Sequence, residues 1–197
     1  MTCRSARLAM TLAIMAIPVV VHAAEPPGDS LYQLNVSLTT QQGKQVPLAA
    51  FRGHPVLITM FYASCVGVCP TIAFTMRRME AALTPPQRRA LRAVMVSFDP
   101  EHDSNRALAE FARLSGLDDS RWSVTRTPAK NVRDLAAALG VRYRPLPGGS
   151  FNHTTLITLL DSEGVPKAHT EQLSTLDPEF MHRLREILSD VAARVDR

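Results

Sequence analysis

The chain has 197 residues, 46% of them hydrophobic and 6% aromatic, with 22 Lys and Arg against 18 Asp and Glu. These values suit one globular domain with an appendage, and they exclude a disordered chain, a collagen and a multi-span membrane protein. Formal net charge is +4. Arg4 and Arg7 supply part of it, and without them the balance falls to about +2, too weak to point to nucleic acid; nor is there a basic run with interleaved aromatics.

The N-terminus reads as an export signal. Met1–Arg7 is a short positive stretch, Leu8–Val21 is an apolar run interrupted only by Thr11 and Pro18, and Val21-His22-Ala23 offers small residues before a cleavage point near Ala23. About 14 apolar residues fall short of the roughly 20 that span a bilayer, so retention of the segment as a membrane anchor is the lesser alternative. Cys3 precedes the apolar run and takes no role. The expected organisation is a signal over residues 1–23, a linker over 24–30 and one domain over 31–197, a monomer in the periplasm.

In chain order, alternation over Leu31–Leu38 followed by Gln41-Gln42-Gly43-Lys44 and Gln45–Leu48 predicts an N-terminal hairpin. Val56–Tyr62 is apolar on both faces and reads as a central strand. After Cys65-Val66-Gly67-Val68-Cys69-Pro70, the positions Ile72, Met76, Met79 and Leu83 form one helical stripe, which Thr84-Pro85-Pro86 stops. Ala93–Phe98 is a second strand leading to Asp99–Asp103. Ser104 N-caps a helix that Gly116 ends, with Asp103 as the other candidate cap. Trp122–Thr125 is a short strand, and a helix runs from Thr127-Pro128 to Gly140. The loop Arg144–Ser150 leads through Phe151-Asn152-His153 into a strand over Thr154–Leu160, which Asp161–Gly164 turns back into Val165–Thr170. Asp177-Pro178 opens a last amphipathic helix. Strands alternating with helices, then a hairpin and a helix, predict an α/β fold with a mixed sheet covered on both faces.

Cys65 and Cys69 carry the chemistry. In an exported chain they are a disulfide, a redox pair or metal ligands, and a bridge closing so small a loop stabilises little. If the helix starts at Val66, both sulfurs point to one spot at its positive end, where thiolate is favoured. His153, at the start of a strand that returns beside the cysteine loop, favours metal use. Two sulfurs and an imidazole form a soft set suited to Cu(I) and able to take Cu(II), whereas a structural zinc site normally has a fourth protein ligand.

Three segments, Tyr62-Ala63-Ser64-Cys65-Val66-Gly67-Val68-Cys69-Pro70, Val96–Asp103 and Phe151-Asn152-His153 through Leu160-Asp161, together resemble the Sco/SenC family of copper-binding proteins. The likeness runs from about Leu31 to the C-terminal helix. It implies a thioredoxin-like fold with an N-terminal β extension and copper held by Cys65, Cys69 and His153. It also implies a cellular role, which is to deliver copper to the binuclear centre of cytochrome c oxidase or to reduce that centre's cysteines. The expected partners are the copper-receiving oxidase subunit or another copper chaperone, together with a thiol reductant. Family members often carry Pro-Asp between the cysteines; here Val66-Gly67 removes that acid.

The first expectation is therefore a copper-transfer protein and not a turnover enzyme. The alternative is a thiol–disulfide oxidoreductase using Cys65 and Cys69. A peroxidase helped by Ser64 and Thr71 is weaker, since no arginine partner is evident. His102 is the nearest rival ligand, His54, His169 and His182 are expected at the surface, and Met76 and Met79 in the core. Arg77-Arg78 and Arg88-Arg89 are solvated pairs able to meet an acidic partner.

Overall fold

The computed structural model describes residues 25–195, so the expected export signal lies outside the described residues. Val56–Phe61 forms strand β3, and all six residues are buried. Side chains alternate along a strand, so burial of both sets means that the strand is covered on both faces. It sits inside a seven-stranded sheet. Across that sheet the order is β2 (Gln45–Pro47), β1 (Ser37–Thr40), β5 (Trp122–Arg126), β4 (Arg92–Ser97), β3, β8 (Ile157–Leu160) and β9 (Pro166–Thr170). Strands β3, β4 and β5 are parallel, while β1 and β8 run antiparallel to their neighbours. The mixed sheet expected from the sequence is present.

Two further strands, β6 (Tyr143–Pro145) and β7 (Phe151–His153), form a separate antiparallel hairpin with Tyr143 opposite His153. Helices are α1 (Val68–Ala81), α2 (Pro85–Ala90), α3 (Asn105–Leu114), α4 (Ala129–Leu139) and α5 (Pro178–Val195). The stripe on α1 buries Ile72, Met76 and Met79 completely, which makes both methionines core residues. Ser104 Oγ accepts the Ala107 amide to cap α3. Gly140 closes α4 in the left-handed conformation, φ 71°. Asp177 Oδ1 accepts from the amides of Glu179 and Phe180 at the start of α5.

Four expectations need correction. Helix α1 begins at Val68 with Gly67 as its N-cap, not at Val66, because Gly67 adopts a non-helical conformation (φ −101°, ψ −98°). The strand expected over Thr154–Leu160 is confined to Ile157–Leu160; the Thr154 amide instead bonds the Arg142 carbonyl, which holds His153 in the β6–β7 hairpin. Pro85-Pro86 both stops α1 and starts α2, where missing amides cost nothing, and the Gln87 side chain accepts the Thr84 amide. The alternating stretch from Leu31 opens with a 3-10 turn over Leu31–Gln33, and its strand starts only at Ser37.

Ser30, at the end of the expected linker, is buried, and the Leu31 amide bonds the Gly164 carbonyl. Among the described residues no helix is long and apolar enough to cross a membrane. Gly164 is needed where it stands. Its φ is +81°, and an added Cβ would lie 2.5 Å from the Tyr32 ring. Gly164→Ala is expected to cost about 2–4 kcal/mol from overpacking and left-handed strain together, read as a lower urea midpoint. An unchanged midpoint would contradict this packing.

Candidate functional site

Parallel pairing puts Phe61 opposite Ser97, so β3 and β4 end side by side. The cysteine loop leaves one and the Asp99–Asp103 loop leaves the other. Crevices beyond the carboxyl ends of parallel strands are where α/β sheets hold ligands. The two loops are tied together. Asp103, only 2% exposed, accepts the Ala63 amide at 2.9 Å and the Ser97 hydroxyl through the same carboxylate oxygen. Burial pushes the Asp103 pKa up, against the pull of these two donors. Asp103 is thus a loop brace, and the helix cap is left to Ser104.

Cys65 and Cys69 are free thiols, both buried and Cys69 completely so. The Cys69 amide, in the first turn of α1, donates to Cys65 Sγ at 3.4 Å. Burial works to raise the Cys65 pKa, but the Cys69 thiol, the amides of Cys69 and Gly67 and the Tyr62 hydroxyl together bring it below the ordinary thiol value. Burial pushes the Cys69 pKa far up, and its neighbour Cys65 adds to the rise. The two thiols are therefore unequal, and Cys65 gives up its proton more readily than Cys69. Tyr62 shares in this: burial first, then its bond to Cys65, raises its own pKa.

His153 lies against the same residues. Its ring centroid is 5.0 Å from that of Phe98 and 6.1 Å from that of Tyr62, edge-on at 88°. Phe151 packs on both rings, at 5.1 Å and 5.0 Å, and Tyr143 stacks on Phe98 at 5.3 Å. An aromatic cluster thus fastens the β6–β7 hairpin to the base of the cysteine loop. His153 Nδ1 is 3.1 Å from the Thr154 carbonyl. A carbonyl can only accept, so Nδ1 donates in this contact and Nε2 is the ring nitrogen left to face a metal. Among the described residues no three His, Cys, Asp or Glu side chains are assembled to hold a metal ion. The structure brings the two sulfurs together and keeps the imidazole on the hairpin that packs on Tyr62.

The other candidates separate clearly. His102 is exposed and hydrogen-bonded to Asp99 Oδ1 at 2.7 Å, a bond that raises its pKa, and it borders the same cavity as Cys65. His54 is held between the Ala90 carbonyl and Arg92. His169 and His182 are exposed on another face. Ser64 and Thr71 are exposed as well. Residue types alone gave no role to Tyr62; its position three residues before Cys65, at a strand end, was the available signal.

The SCO1/SenC family model matches residues 25–189. The chain belongs to the SCO1/SenC family. Among its curated relatives is the SCO1 protein homolog of Bacillus subtilis, 28% identical over 82 residues, which are 42% of each chain, so less than half of that relative's length is spanned. The fold matches that of Bradyrhizobium japonicum ScoI, solved with copper bound, at a TM-score of 0.66 and 24% identity over 77% of this chain and 96% of that one. It also matches BsSco, a member of the Sco family of cytochrome c oxidase assembly proteins, at a TM-score of 0.65 and 18% identity over 79% and 90% of the two chains. These likenesses establish the thioredoxin-like architecture expected for a SCO1/SenC protein.

The thiol asymmetry is directly measurable. With limiting iodoacetamide at neutral pH, peptide mapping of the reduced chain is expected to find Cys65 alkylated well before Cys69, because only thiolate reacts. Tyr62→Phe removes one donor and moves the Cys65 alkylation profile to higher pH. Equal labelling of the two cysteines would contradict the assignment.

Proposed function

We propose that this SCO1/SenC protein is a periplasmic copper chaperone. It takes copper as cargo on Cys65, Cys69 and His153 and passes it to the copper-receiving subunit of a cytochrome c oxidase, or to another copper chaperone. Membership of the family supports this reading, as do the copper-bound ScoI neighbour and the assembly role named for BsSco. The observation that carries it is the sulfur pair itself: two buried free thiols at one helix N-terminus, one of them already biased to thiolate. Soft sulfur donors select Cu(I), and an imidazole with a free Nε2 extends the set to Cu(II). Cys69 must lose its proton to ligate, so binding releases a proton and weakens as pH falls. The segment over residues 1–23 serves as the export signal.

The unequal thiols favour a second use of the same pair. Cys65 thiolate attacks a partner disulfide and expels one partner thiolate; Cys69 then displaces the other. The products are a reduced partner and a Cys65–Cys69 disulfide, which a thiol reductant must reopen.

Titration of the reduced chain with Cu(I) against a competing chelator tests the first reading. Cys65→Ser, Cys69→Ser and His153→Ala are each expected to weaken binding by at least the roughly 10–100-fold seen when outer-shell partners are lost. Unchanged affinity in all three variants would refute it. Disulfide exchange kept in His153→Ala, with native copper affinity, would leave the oxidoreductase reading in its place.

A further inference from the structure

Among the described residues the exposed large hydrophobics are Val66, Phe74 and Leu114, 97%, 55% and 71% exposed. All three border one cavity of about 700 Å³. Pro70 and Phe74 of α1 form one side, Phe111 and Leu114 of α3 the other, and Cys65 lies at its end. Solitary exposed apolar residues need no explanation, but a cluster of them beside a reactive group marks a contact surface. Nothing in the packing of the fold requires Val66 to stand in solvent. It sits between the two cysteines and lines the cavity that Cys65 borders.

Charge in the cavity lining is of both signs, but its carboxylates are already engaged, Asp103 by the Ala63 amide and the Ser97 hydroxyl and Glu110 by Arg113. Arg77, in the cavity wall, donates only to the Ser115 carbonyl, and Arg78 donates to the Ser174 carbonyl with its guanidinium 5.9 Å over the Phe74 ring. Among the described residues neither arginine meets a carboxylate, while Glu110 on the opposite wall is already taken by Arg113. An apolar lining with guanidinium groups about two turns along α1 from Cys69 is complementary to an apolar segment with an acidic residue.

We propose that this groove docks a segment of a partner protein that is apolar, carries an acidic residue for Arg77 and Arg78, and presents a cysteine to Cys65. The inference rests on the reading above in which Cys65 exchanges copper or a disulfide with a partner. Val66, Phe74 and Leu114 give the docking its apolar contact, and the arginines set its direction, so that the partner's sulfur lies at the Cys65 end.

The test uses the full chain carrying Cys3→Ser and three pentapeptides whose terminal cysteine is activated as a 2-pyridyl disulfide. One peptide has glutamate, leucine and phenylalanine before the cysteine. The second has lysine for the glutamate, and the third has serines for the apolar pair. Cys65 sulfur bonds to the peptide sulfur while pyridine-2-thione leaves with the bonding electron pair, and its absorbance gives the rate. The acidic apolar peptide is expected to react about tenfold faster than the other two. Phe74→Ser and Leu114→Ser remove that advantage, and Arg77→Glu transfers it to the lysine peptide. In all three variants the rate with small 2,2′-dipyridyl disulfide and the Cu(I) affinity stay native. Equal rates for the three peptides, or variants without effect, would overturn the proposal; so would sedimentation showing a dimer that Phe74→Ser dissociates, since a second copy would then cover the groove. Peptide selectivity in a chain that fails to bind Cu(I) would uphold the groove and refute the copper reading instead.

Discussion

A single buried carboxylate joins the two loops on which this site is built. Asp103 Oδ2 accepts the Ala63 amide and the Ser97 hydroxyl, and so fixes the start of the cysteine loop against the end of β4. Both partners sit at adjacent strand ends because Phe61 and Ser97 are opposite each other in a parallel register. Without that tie, the turn from Tyr62 to Cys65 would rest on its own local bond, the Cys65 amide to the Tyr62 carbonyl at 3.3 Å, and on the packing of the Tyr62 ring. A buried acceptor that serves two donors is costly to leave partly paired, so the brace defines one loop arrangement over its alternatives.

With the loop fixed, the helix terminus does the rest. Donors converge on Cys65 and lower its pKa, whereas burial raises that of Cys69. The pair is thus polarised before any partner or metal arrives. The β6–β7 hairpin adds the third element through Tyr62, whose ring touches His153 and whose hydroxyl reaches Cys65. One side chain links the sulfur to the imidazole-bearing hairpin.

Much of this could be read from residue types alone. The doubly apolar run of β3, the α1 stripe, the Ser104 and Asp177 caps and Gly140 are local signals, and each matches what the fold contains. The sites where the reading failed depend on distant partners. His153 was expected to open a long strand, but the contacts that hold it come from Tyr62 and Phe98, far earlier in the chain. Asp103 looked like a helix cap because an acid before a helix usually is one, and only the β3–β4 register shows that Ala63 is its partner. Pro85-Pro86 ends one helix and begins another, two roles that composition does not separate.

X-ray absorption of the Cu(I)-loaded chain tests the central claim most directly. The account predicts two sulfur scatterers and one imidazole, with the imidazole signal lost in His153→Ala. A spectrum of sulfur alone, or one that His153→Ala leaves unaltered, would contradict it.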